Sequence, residues 1–366
     1  MRRLLQIILL KPILWFSNKI ASRPQREKIF AALSILLHEI EKHPGKKGPV
    51  ISIKREDQFI IFSDQHRGAK NGADDFMNAE PNYLAALDYY YKNDFHFISL
   101  GDNEELWENS LVSVKKYNAI TFEAEKLFVQ QKRFYKIFGN HDLYWANDPL
   151  AAWQLKKIYG EKVKVYEGLI LKLTIDHPIA IGSALTIFLT HGHQGDASSD
   201  GNWFSKFFVS RIWAPLQVYL KINPNTPAYN TELKTEHNRI MYEWSSQQKN
   251  LLLITGHTHQ PVFKSLTYPE KLFKELLQAK SQNDSLKVQQ LEAALSFGKK
   301  ENNKLSEELL SMKPSYFNSG CCCFSDGDIT GIEITHENIS LIKWSKQKER
   351  EILEQSTFRN LHTQFK

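Results

Sequence analysis

Along the first two thirds of the chain one alternation of apolar and polar positions recurs. A short run rich in β-branched and aromatic residues stops abruptly, and a polar turn follows at once. QFIIF (58–62) leads into SDQHRG, with Asp64 and His66, and FHFISL (95–100) leads into GDNEELWE, with Asp102. FYKIF (134–138) leads into GNHD, with Asn140, His141 and Asp142. LTIFLT (185–190) leads into HGHQGD, with His191, and LLLIT (251–255) leads into GHTHQP, with His257 and His259. Between the first three runs, residues 82–93 and 118–132 have helical patterning. Strand–helix–strand alternation predicts a mostly parallel sheet, whose ligand sites lie beyond the carboxyl ends of the strands. All five turns would then meet on one rim.

The flanking pattern differs. Residues 24–42 predict a helix, with Pro24 in the first turn and Ile29, Leu33, Leu36, Leu37 and Ile40 on one face. Residues 196–249 form an insertion whose NWFSKFFVSRIWAPLQVYL stretch spaces Trp203, Phe207, Phe208 and Trp213 at helical intervals. That face either packs on the body or forms a lid for an apolar substrate tail. A second insertion, 269–312, is charge-balanced with heptad-like leucines and reads as a helical hairpin broken at Gly298. The polar tail 345–366 is expected to be loosely held. The domain proper would run from 51 to 344, with residues 1–50 a basic helical arm.

Composition sharpens this in two ways. The net charge of +6 on 366 residues is carried by residues 1–50, which hold ten Lys and Arg against three Glu, while the rest balances to −1. The body is therefore not a basic nucleic-acid surface, and no nucleic acid is expected as a partner. The opening MRRLLQIILLKPILWF is too short and too interrupted to span a bilayer. Residues 1–22 either dock on the domain or lie as a peripheral contact on an anionic membrane face, which makes a cytoplasmic location the expectation. The three cysteines, Cys321, Cys322 and Cys323, allow no disulfide framework and lack C-x-x-C spacing. They suggest a reducing compartment and read as small buried residues.

The chemistry lies in the five turns. Histidine nitrogen mixed with carboxylate oxygen, without thiolate, suits divalent Mn, Fe or Zn. The candidate ligands in these turns outnumber what one ion takes, so two divalent metal ions, bridged by Asp102, are the economical reading. Arg67 follows His66 and could grip a phosphate oxygen or pair with Asp74 or Asp75. His193, one residue past a candidate ligand, suits a supporting or solvent role.

SDQH, GDNEE, GNHD, the His191 of THGH, and GHTH together resemble the signature of the calcineurin-like metallophosphoesterase superfamily, over residues 58 to about 260. YFNSGCCCFSDGDITGIEI resembles its closing strands. The resemblance implies a four-layer α/β/β/α sandwich, here with helical insertions, and a bacterial metal-dependent phosphohydrolase acting on a phosphate-ester substrate. It implies that Asp64, His66 and His259 hold one metal, that Asn140, His191 and His257 hold the other, and that Asp102 bridges them. It makes His141 the general acid, with Asp142 orienting its ring. Glu105 stands where the family usually has Asp or Asn. Members that cleave UDP-diacylglucosamine are more distantly similar. They carry a comparable insertion after the same histidine but typically have Arg at the position of His141. The rival readings are a nucleotide or cyclic-nucleotide phosphodiesterase and a non-catalytic scaffold of the same fold.

Overall fold

The computed structural model describes residues 24–71, 74–175, 183–195, 231–296 and 312–364. Its strands are β1 (Val50–Ser52), β2 (Phe59–Phe62), β3 (His96–Leu100), β4 (Phe134–Ile137), β5 (Val165–Tyr166) and β6 (Gly168–Ile175). They continue with β7 (Ser183–Thr190), β8 (Leu251–Thr255), β9 (Tyr316–Asn318), β10 (Ile329–Ile334), β11 (Asn338–Trp344) and β12 (Arg350–Thr357). All five apolar runs that precede the polar turns are strands. They are divided between two sheets rather than gathered in one, in the orders β1-β6-β7-β8-β9 and β12-β11-β10-β2-β3-β4-β5. Within these, β2 to β5 run parallel, as do β7 to β9.

The pleat explains the layers. In FIIF, Phe59 and Ile61 face inward and meet Leu171, Ile187, Leu252 and Ile254 of the other sheet, which closes a central core. Ile60 and Phe62 face outward and pack with Tyr83, Leu87 and Tyr90 of the helix Glu80–Lys92. On the far side, Ile170, Phe188 and Leu253 are covered by two helices, Arg26–Lys42 through Ile29, Leu33, Leu36 and Ile40, and Thr231–Ser246 through Ile240, Met241 and Trp244. The order helix, sheet, sheet, helix is the four-layer sandwich expected above.

Some expectations change. Residues 24–42 are a layer of the fold and not an arm; residues 1–23 lie outside the described residues. The helix expected over 118–132 is Ala119–Gln130, preceded by a separate Leu111–Tyr117. The residue between them, Asn118, donates to the carbonyls of Gly68 and Val114. The second insertion holds two helices, Tyr268–Ser281 and Ser285–Ser296, which bury Leu276, Ala279, Leu291 and Leu295 against each other. The turn between them falls at Asn283, where φ is +55°, and Gly298 lies outside the described residues. The tail is not loose: β12 pairs along β11, and the helix Phe358–Thr363 buries Phe358 and Leu361 in the central core. The aromatic stretch 203–216 lies outside the described residues.

Candidate metal centre

The site forms where the strands end. Past β2 and β3 the two backbones stay in register: Asp64 N–H donates to Gly101 O at 3.0 Å and His66 N–H to Asp102 O at 3.0 Å. Across the sandwich, Gly256 N–H donates to His191 O at 3.0 Å. The turns are strained. Asp64, His66, Asp102, His257 and His259 all have φ between +49° and +70°, a region that non-glycine residues enter at a cost of about 1–3 kcal/mol each. Two glycines make room for the ligands. A Cβ on Gly139 would stand 2.2 Å from Asp102 Oδ1, and one on Gly101, itself at φ +89°, would stand 2.6 Å from the His191 ring. Each of these two glycines therefore clears space for a side chain contributed by another turn.

Six of the seven predicted ligands come together, and their electron-pair donors converge in two groups. In the first, His259 Nε2 lies 3.2 Å from Asp64 Oδ1 and 3.1 Å from His66 Nε2. In the second, Asp102, His191 and His257 cluster, with His191 Nε2 3.0 Å from Asp102 Oδ2. Asp102 Oδ2 also lies 3.8 Å from His66 Nε2, which places this carboxylate between the groups. His191 Nδ1 donates to Leu100 O at 2.9 Å, so in the neutral ring Nε2 is a lone pair facing a carboxylate. Two acceptors at that distance need a cation between them. Asn140 Oδ1 is likewise buried with no hydrogen-bond partner among the described residues. This donor set fits divalent metal ions. Without them a proton takes the role. Burial disfavours the charged His191 ring, yet Asp102 and Asp64 outweigh it and raise its pKa to about 9; His259 is raised to about 9 against burial by Asp64.

Around His141 the structure differs from expectation. Asp142 does not hold its ring. The Asp142 carboxylate instead accepts from the backbone of Gly139 at 2.6 Å and of Asn103 at 3.0 Å, pinning the two turns together. The carboxylate beside the ring is Glu105, whose Oε2 lies 2.6 Å from His141 Nδ1 and 3.0 Å from His66 Nδ1. Burial would raise the Glu105 pKa, but His141 and His66 hold it near 2. Trp107 completes the clasp, stacking on His141 at 4.5 Å and 17° and donating from Nε1 to Asn140 O at 2.6 Å. The spacing D-x-x-E-x-W was the available signal for both residues. His141 N–H donates to Asp102 Oδ1 at 2.8 Å, which ties it to the centre.

Arg67 does not reach the site and pairs with neither Asp74 nor Asp75, contrary to the expectation from sequence. It is fully buried, with Nη1 on Glu125 at 2.6 Å, Nη2 on Glu104 at 2.5 Å and its guanidinium over the Phe122 ring. Asp74 accepts from the backbones of Gly68, Lys70 and Phe76. His193 is buried with its ring 5.5 Å from that of His191, and burial followed by His191 lowers its pKa to about 3. The helix Thr231–Ser246 braces two turns: His237 Nε2 contacts Gly192 O at 2.9 Å, and Asn238 Oδ1 accepts from Thr258 at 3.1 Å. The cysteines divide. Cys322 packs in the core behind β2, whereas Cys323 Sγ lies 3.8 Å from His259 Nδ1, with Cys321 beside both.

No curated protein matches the sequence. Among solved structures, the chain is similar to the crystal structure of a conserved uncharacterized protein, a predicted phosphoesterase, from Streptococcus pneumoniae TIGR4. The identity is 12%, over 82% of this chain and 97% of that one, and the TM-score of 0.29 is too low to bear on fold or function. The family model described as calcineurin-like phosphoesterase matches residues 58–261, which contain every turn that converges on the centre. The chain belongs to the calcineurin-like phosphoesterases, metal-dependent enzymes that hydrolyse phosphoesters.

Proposed function

We propose that this enzyme cleaves a phosphoester or pyrophosphate bond at a two-metal centre. The observation that carries the reading is the position of Asp102 between two groups of donors. Asp64, His66 and His259 would hold one ion, Asn140, His191 and His257 the other, and Asp102 both. Two divalent ions held there supply Lewis acidity toward the phosphoryl oxygens and make water acidic enough to attack phosphorus near neutral pH. The protein's own part is positional. Glu105 Oε2 lies 2.6 Å from Nδ1 of His141, and Nε2 would carry the proton taken by the departing oxygen. Trp107 holds the plane of that ring, and the hydrogen bond from Trp107 Nε1 holds the backbone of Asn140.

The aromatic sequence of residues 203–216 supports a substrate with an apolar tail. A hydrolysis screen with added Mn, comparing p-nitrophenyl phosphate, its bis ester, nucleotides and UDP-linked lipids, separates the readings. Preference for the lipid fits the tail, and preference for soluble nucleotides replaces it with the phosphodiesterase. Asp102→Asn is expected to lose most bound metal and nearly all turnover. His141→Ala is expected to keep metal and lose rate by roughly 10²–10⁴-fold. Wild-type rates from His141→Ala on substrates with poor leaving groups would remove the acid from its role.

A further inference from the structure

The cysteine loop is the feature that the phosphohydrolase reading does not use. Cys322 N–H donates to the carbonyls of Ser63 and Asp64, which lays the loop along the turn that carries the first donor group. Successive side chains then point to opposite sides. Cys322 Sγ faces Thr330 O at 3.9 Å within the core, while Cys321 and Cys323 turn toward His259. The two sulfurs and a ring nitrogen of His259 lie within 4.8 Å of one another, and Cys323 Sγ is 3.8 Å from His259 Nδ1. Metal–sulfur bonds of about 2.3 Å and metal–nitrogen bonds of about 2.0 Å place tetrahedral ligands about 3.5–3.8 Å apart. Three soft or borderline donors at that spacing match a thiophilic cation and are unlike the nitrogen–oxygen set of the neighbouring centre. Cys323 is half-buried, which leaves it a route to solvent.

We propose that Cys321, Cys323 and Nδ1 of His259 form a third cation site, selective for thiophilic ions such as zinc or cadmium. Each thiol releases its proton as the sulfur–metal bond forms, and Nδ1 of His259 releases its own, so no oxidant or reductant is needed. His259 also presents Nε2 to Asp64 and His66. An ion on Nδ1 therefore competes for the orientation and charge of a ring that the first catalytic group uses. The binding claim stands by itself, and the effect on the catalytic ions rests on the functional reading above.

The test uses the full chain, reduced and freed of metal by chelation, titrated with cadmium chloride and no substrate. A thiolate-to-cadmium charge-transfer absorption is expected in the ultraviolet. It should survive in Cys322→Ala and vanish in Cys321→Ser and in Cys323→Ser. Cadmium should also protect Cys323 of the unaltered protein from iodoacetamide, a readout that needs no variant to fold. Absence of the band, its persistence in both serine variants, or no protection of Cys323 overturns the site. With cadmium bound, manganese affinity is expected to fall at least about tenfold, the scale on which partners of metal-bound histidines act. Unchanged manganese affinity overturns the coupling alone. Failure to hydrolyse any phosphoester, with the band intact, counts only against the functional reading.

Discussion

Single side chains decide the chemistry around His141. Its ring lies between the Trp107 indole, stacked at 4.5 Å, and the edge of His66 at 4.6 Å, with Glu105 on Nδ1. A stacked indole fixes the plane of an imidazole. Trp107→Ala is expected to lower kcat about 10–100-fold while metal content stays constant, with the larger loss on alkyl phosphates than on p-nitrophenyl phosphate. Trp107→Phe should recover most of that loss, because it keeps a stacked face. Equal losses on both leaving groups, measured in parallel kinetics, would make Trp107 a packing residue only. His141 was legible in the sequence as the residue after Asn140. Its partner was not, because Asp142 is its neighbour along the chain while Glu105 reaches it only through the meeting of two turns.

At the scale of elements, the sheet rim is held by a buried network behind the metal centre. Arg67 and Lys136 share Glu104, and Glu125 also accepts from Tyr83 and Tyr159. Removing one partner strands the others in a low-dielectric interior, at a cost of about 3–5 kcal/mol. Arg67→Ala is therefore expected to lose stability on that scale in urea denaturation, with KM for a small phosphate ester unchanged. A raised KM with full stability would return Arg67 to the substrate. Because it adjoins His66 in sequence, Arg67 was expected either at a phosphate oxygen or on Asp74 or Asp75. At φ +49° His66 turns toward Asp64 and His259 while the next side chain enters the core. The strands before the five turns were readable because hydrophobic runs survive any tertiary arrangement. The strand β12 was not, since REILEQST alternates weakly and owes its order to pairing with β11.

For the whole molecule, the two sheets bring distant carboxylates and imidazoles together at a cost that metal ions relieve. With His191 and His259 raised to about 9 in the metal-free protein, both rings carry protons at pH 7. Ligation requires them neutral, so metal uptake at pH 7 should release protons, and apparent affinity should climb between pH 7 and about 9. Calorimetric titration in buffers of different ionisation enthalpy reads the release directly. Uptake without proton release would show that these rings are already neutral. Among the described residues no helix is long and apolar enough to cross a membrane.

The sequence by itself determined which nitrogen- and oxygen-bearing residues stand at the strand ends and in what order, because a metal's demand for such donors is written in residue identity. Only the tertiary structure decided which carboxylate meets His141, that Arg67 is spent on the core, and that two of three adjacent cysteines face His259. Those outcomes depend on which way each side chain points at a turn, and that direction is set by contacts between segments far apart in the chain.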